Sequence, residues 1–222
     1  MAFYRRSYRS RRRTGIRARP RYTRKSTPTV ARKALYLARK ANRKELKYVS
    51  VSDQLVTLDS SSGVNNYYGQ LATMSKGTDV TNRIGDAVEP TSINVKVNMS
   101  IPVASSAMSC TIRVILFQWK SETYSAADYH ILQDPNDVKS YKNFVNRYQS
   151  NFLMDRTYSL SVDGTRQMQI SLKRKLSGII AYPSVGTTTI PNRNGIYILV
   201  TSSVPNSDVA IRYTSRLYFH DS

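Results

Sequence analysis

Charge in this chain is loaded at one end, and that loading limits what each part can fold into. The 222 residues carry 34 Lys plus Arg against 14 Asp plus Glu. Residues 1–47 hold 18 of the basic side chains and one acid, Glu45, a net of +17, whereas residues 48–222 hold 16 basic and 13 acidic side chains, a net of +3. A block so cationic and so poor in apolar side chains repels itself and has no core to bury. Its counter-charge has to come from another molecule. The remainder is long enough for one domain with a sizeable core.

Within the arm, residues 1–25 are dominated by arginine, with Tyr4, Tyr8 and Tyr22 interleaved and Gly15 and Pro20 breaking any helical period. They read as disordered until bound. Thr27-Pro28 reads as an N-cap followed by proline at the first helical position. Val30, Ala34, Leu37, Ala38 and Ala41 then recur at helical spacing between basic residues, which predicts a basic amphipathic helix over 28–46. That helix is either an exposed linker or one lying along phosphate or on its own copies.

Nucleic acid is the partner this composition fits. The candidate phosphate-binding residues are Arg5, Arg6, Arg9, Arg11, Arg12, Arg13, Arg17, Arg19, Arg21, Arg24, Lys25, Arg32, Lys33, Arg39, Lys40, Arg43 and Lys44. Binding through such a run is driven by counterion release and is nearly blind to base sequence. Arginine's planar fork grips phosphate bidentately, and the interleaved tyrosines offer stacking faces to single strands. The same run fits a nuclear import signal, and its Arg- and Ser-rich, acid-poor start also imitates a mitochondrial transit peptide. No apolar run approaches the ~18 residues a bilayer span needs, so no membrane insertion is expected. The start lacks the apolar core of a secretory signal.

Residues 48–222 read as strands. Ile93, Val95, Val97, Met99, Ile101 and Val103 alternate with Asn94, Lys96, Asn98 and Ser100, the period of a half-buried strand. Residues 111–119 are apolar on both faces and predict a central, covered strand. Residues 48–58 are rich in β-formers, with the alternation interrupted at Asp53. Met154, Tyr158, Leu160 and Val162 share a phase, as do Met168, Ile170 and Leu172, with the turn dipeptide Asp163-Gly164 between them. Further strands are expected around Leu176, Ile180 and Tyr182, over 196–202, and from Val209 to Phe219, where Ser215 is the one polar residue in the inward phase. Residues 59–90 read as a polar loop. Ser125 and Asp128 resemble a capping box for a short helix through Ile131 and Leu132, ended by Pro135, and Val138, Tyr141, Phe144 and Tyr148 fit a second helical face. About eight strands with almost no helix predict an all-β, antiparallel sandwich or barrel.

A search for chemistry finds little. His130 and His220 have no Cys or second His at metal-ligand spacing, and no nucleophile elbow, P-loop or dinucleotide fingerprint is present. No catalytic residue, cofactor or metal is expected, which disfavours an enzyme on a β-sandwich. Asp86 with Glu89, and Asp134 with Asp137, could each hold a hard cation between subunits; turn and cap roles are the plainer reading. Lys173, Arg174 and Lys175 form a second basic cluster at a strand corner. Cys110, the lone cysteine, reads as a small core residue.

The body also carries a resemblance. Arg83-Ile84-Gly85-Asp86 before the long alternating strand, Asn151-Phe152-Leu153-Met154-Asp155-Arg156-Thr157, and Lys173-Arg174-Lys175-Leu176 stand in order along the chain. Asn194-Gly195-Ile196-Tyr197-Ile198-Leu199-Val200 and Ser215-Arg216-Leu217-Tyr218-Phe219-His220-Asp221 close the series. With the basic arm, this sequence resembles the capsid proteins of circovirus-like, circular Rep-encoding single-stranded DNA viruses. The resemblance implies a single eight-stranded antiparallel jelly roll, its two sheets four-stranded, over residues 48–222. The Asp163-Gly164 hairpin would join the fifth and sixth strands, which are neighbours in that topology. It also implies an icosahedral shell of about sixty copies that packages single-stranded DNA and forms in the host nucleus. A coat protein of a satellite-like single-stranded RNA virus, and a cellular ribosomal-type protein with a basic extension, are the competing readings.

Overall fold

The computed structural model describes residues 33, 44–58, 66–122, 124–125, 130–184, 188–205 and 207–222. The segments expected to be disordered (1–25) and helical (28–46) therefore lie outside the described residues, apart from Lys33, which is helical, and Lys44 to Leu46, which are not. The expected helix does not reach residue 46, because the chain is already committed to a strand at Lys47.

Nine strands follow: β1 (Lys47–Leu55), β2 (Asn66–Gln70), β3 (Ala87–Ser100), β4 (Ser109–Trp119), β5 (Ser150–Ser161), β6 (Gln167–Lys175), β7 (Ile180–Ala181), β8 (Gly195–Ser202) and β9 (Ala210–Asp221). One sheet runs β1-β9-β3-β6, with the two-residue β7 added beside β3; the other runs β2-β8-β4-β5. All pairings are antiparallel. Consecutive strands alternate between the sheets except at β4–β5 and β6–β7, which is the winding of a jelly roll. The sheets have five and four strands; the fifth is the short β7.

The period-two pattern explains the interior. Ile93, Val95, Val97 and Met99 on β3 and Ile211, Leu217 and Phe219 on β9 turn inward and are buried, with Ser215 among them. They meet Ile112, Val114 and Leu116 of β4 and Ile196, Ile198 and Val200 of β8 across the sandwich. The opposite face of β4 and β8 is buried as well. Ile115, Phe117, Trp119, Tyr197 and Leu199 form a second cluster with Tyr124, Ile131 and Leu132 from the long β4–β5 connection, so that loop roofs the four-stranded sheet.

Several expectations are corrected. Residues 66–70, read as loop, form β2, a polar strand whose partner is β8 alone. No residue from 130 to 148 is helical. The helical-looking spacing there comes from Ile131, Leu132 and Val138 dipping onto the sheet while Tyr141, Phe144 and Tyr148 stay exposed; residues 126–129 lie outside the described set. The alternating strand ends at Ser100, and Val103 is 88% exposed. Asp163-Gly164 does not close a hairpin: β5 and β6 belong to opposite sheets, and both residues keep negative φ. This corner is tied instead to the β3–β4 loop, where Val162 N donates to Met108 O (2.9 Å) and Arg166 donates to the carbonyls of Ile101 and Pro102 (both 3.0 Å).

Candidate nucleic-acid interface

Of the seventeen candidate phosphate-binding residues, the structure describes two. Lys33 is exposed. Lys44 ion-pairs with Glu89 at 2.7 Å, so its charge is already shared with a carboxylate of the body. The other fifteen lie outside the described residues.

What the structure does show is how the body receives the arm. Lys47 opens β1 with its ammonium only 1% exposed; it pairs with Asp221 Oδ2 at 2.9 Å and donates to Asn82 O at 3.1 Å. A desolvated ammonium is tolerated only with such partners. Two residues earlier, the carbonyl of Glu45 accepts from His220 Nδ1 at 2.8 Å, given the tautomer with hydrogen on that nitrogen. His220 is half-buried where this contact forms. Lys44, Glu45 and Lys47 thus bind to Glu89 and to the end of β9. The point where the arm leaves the fold is fastened by charge.

The carboxylates considered as cation ligands are otherwise engaged. Asp86 faces Lys76 (3.1 Å) and Arg83 (3.2 Å), and the hydrogen bond from Lys76 holds its carboxyl below the usual range. Asp134 and Asp137 accept from the backbone amides of Asn136 (2.9 Å) and Lys139 (2.8 Å), as turn residues do. Among the described residues no group of three or more His, Cys, Asp or Glu could hold a metal ion, and no helix is long and apolar enough to cross a membrane. His130 is exposed, and Cys110 is buried.

Two motifs that carried the resemblance prove to be internal fasteners. Arg83, 1% exposed, donates to Gly85 O and Thr188 O and lies 4.5 Å over the ring of Tyr182, whose hydroxyl donates to Ala72 O at 2.7 Å. Burial pushes the Tyr182 phenol up even though Arg83 opposes the shift. Arg113 grips Asp155 with two bonds of 2.8 Å and donates to the carbonyls of Val138 and Ser140, clamping the β4–β5 loop to its sheet.

The basic cluster at the end of β6 divides by strand phase. Arg174 donates to Leu153 O on β5 (2.9 Å), while Lys173 and Lys175 stand on the outer face of the five-stranded sheet. Strand register brings other groups to them. Arg216, Asn94 and Lys173 share one row; Tyr218, Ser92 and Lys175 share the next; Lys96 lies one row to the other side, beside Thr214 and Ser171. β1 adds Tyr48 opposite Tyr218 and Ser50 opposite Arg216. Alternation in the sequence puts Lys96 and Arg216 on outward phases, but only strand order places them beside Lys173.

No family model matches the chain, and no curated protein does. Among solved structures it is similar to a chain of the cryo-EM structure of broad bean stain virus, with 11% identity and a TM-score of 0.37 over 78% of this chain and 84% of that one. It is also similar to a chain of Desmodium yellow mottle tymovirus, with 10% identity and a TM-score of 0.33 over 81% and 89%. At that distance, neither likeness says what this chain does.

Proposed function

We propose that this chain is the coat protein of a small virus, many copies of which close into an icosahedral shell around a single-stranded genome condensed by the arm. One observation carries the reading: a jelly-roll body of near-balanced charge is joined to a 47-residue arm of +17. Jelly rolls serve capsids, lectins and cupins alike, so the fold by itself does not choose. The arm does, because a load of that size is useful only against a polyanion. About sixty arms would carry roughly a thousand positive charges, the scale of a small single-stranded genome at about one phosphate per charge. The protein acts by binding and assembly, without catalysis, in the virion and in the host nucleus during assembly.

The DNA assignment rests on the sequence resemblance alone. A single-stranded RNA genome, as in satellite-like viruses, satisfies the arm and the fold equally well. Electron microscopy of the purified protein tests the reading: uniform closed particles are expected. Only small soluble species across salt and pH would reject it in favour of a cellular RNA-binding protein. Digesting the nucleic acid extracted from particles formed in infected cells with DNase or RNase then decides the genome type.

A further inference from the structure

The fold treats its two outer faces differently. The four-stranded sheet carries large apolar side chains outward and has them roofed by the β4–β5 loop. The five-stranded sheet carries polar side chains outward, and no described loop covers them. Between its margins, its outward residues on β3, β6 and β9 are Ser, Thr, Asn, Gln and Tyr218 interspersed with cations.

Away from its margins, the charges on that face are of one sign. Of the outward cations on β3, β6 and β9, Arg212 pairs with Asp53, whereas Lys96, Lys173, Lys175 and Arg216 enter no ion pair among the described residues. The carboxylates at its margins, Glu89 and Asp53, are occupied by Lys44 and Arg212. Ordinary soluble surfaces intersperse both signs. The cations on β9, β3 and β6 lie within two strand spacings, about 10 Å.

Arg216 is also pre-set for a ligand. Its Nε donates to Ser50 Oγ at 3.0 Å and its guanidinium stands 4.7 Å from the centre of the Tyr48 ring. Both Nη groups lack a protein partner among the described residues, an arrangement that fits a bidentate phosphate contact. Tyr48 and Tyr218, half-buried with ring centres 6.4 Å apart, form a small aromatic platform beside it. A shallow depression of about 240 Å³ runs between Ser50, Lys96 and Tyr218.

We infer that this face is a second nucleic-acid site, on the folded body itself. It takes single-stranded polynucleotide, with phosphates on Lys96, Lys173, Lys175 and Arg216 and a base stacked on Tyr48 or Tyr218. A single strand is specified because a duplex keeps its base faces inside the stack. The inference rests on the proposed packaging of a single strand and adds a defined site to the arm.

The test uses the full-length protein, a labelled oligothymidylate or oligouridylate, and affinity measured across a salt series. Each single-strand phosphate contact contributes about 0.7 to the slope of log affinity against log salt. Lys96→Gln/Lys173→Gln/Lys175→Gln is therefore expected to flatten the slope by about 2. Tyr48→Leu/Tyr218→Leu is expected to weaken binding about tenfold, and full affinity in that variant would overturn the stacked base. Arg11→Gln/Arg12→Gln/Arg13→Gln in the arm provides the comparison. If the arm variant flattens the slope and the sheet variant does not, the packaging reading stands and this inference falls; if neither does, both fall. If the sheet variant loses particle formation with its slope intact, the face is a contact between copies and the inference falls as well. Lys96, Lys173 and Lys175 are exposed, so the melting curve of the triple variant should match wild type. Should the triple variant fail to fold, the single variants each carry the same test at about 0.7 per residue.

Discussion

Arg113 and Asp155 show how much of this body depends on single polar contacts. Burial by itself would raise the Asp155 carboxyl, but the hydrogen bonds and charge of Arg113 and Lys142 outweigh it and hold the group below its ordinary value. A carboxyl depressed in the folded state contributes stability that is complete above its unfolded value, about pH 4, and is lost as pH falls through the folded value. Asp155→Asn is therefore expected to melt lower than wild type at neutral pH and to show a smaller further drop in Tm on acidification below about pH 4. Equal pH profiles would contradict this role. Arg113→Ala leaves the carbonyls of Val138 and Ser140 without their donor and the Asp155 carboxylate with Lys142 alone, and urea unfolding should register a loss of about 3 kcal/mol. The same logic applies where the arm meets the body. Asp221→Asn removes the charge facing the buried Lys47 ammonium and is expected to cost about 3 kcal/mol, whereas Glu89→Gln, which breaks only the exposed pair with Lys44, should cost less than about 1 kcal/mol.

At the scale of elements, β1 shows what the sequence could disclose. Its interrupted alternation at Asp53 is a real backbone event: the register with β9 shifts between Val51 and Gln54, and Asp53 sits at φ 45°. Glycine takes that conformation freely, whereas a β-branched side chain pays about 1–2 kcal/mol for it. Asp53→Gly should thus leave stability nearly unchanged, the lost pair with Arg212 being exposed, while Asp53→Val should be destabilised by that amount in thermal or urea melts. The long strands were legible for the same reason as this bulge, since one buried face imposes a period of two on β3 and β9. β2 was not, because Asn66-Tyr67-Tyr68-Gly69-Gln70 has almost no apolar alternation and owes its strand state to pairing with β8. The β4–β5 loop misled for a related reason: residues that roof a sheet must also be apolar, and their spacing imitated a helix. Asp163-Gly164 misled because turn chemistry is local, whereas the sheet to which each flanking strand belongs is decided by distant partners. The candidate site divides in the same way. The cationic run is visible in any reading of the first residues, but the face holding Lys96, Lys173 and Arg216 exists only once β9, β3 and β6 lie side by side.

For the whole molecule, the structure moves the point at which the arm can be removed. Lys44, Glu45 and Lys47 belong to the body through Glu89, His220 and Asp221, and residues 44–222 form one of the two compact units of the chain. Residues 1–43 contain sixteen basic side chains and no acid, so a cut there removes the cationic load and leaves the fastenings intact. A protein lacking 1–43 is expected to melt close to wild type, whereas one lacking 1–47 leaves Asp221 facing no ammonium and should be less stable by about 3 kcal/mol. If the arm packages the genome, the protein lacking 1–43 should yield particles whose absorbance ratio at 260 and 280 nm is that of protein alone. Full packaging without the arm would reject the arm's role. The sheet face gives the shorter protein a further signature. With four cations left to meet a single strand, it should keep weak binding whose salt slope is about −3, and Arg216→Gln in that background should bring the slope toward about −2. A slope near zero in the truncated protein would mean that the arm alone carries the nucleic acid.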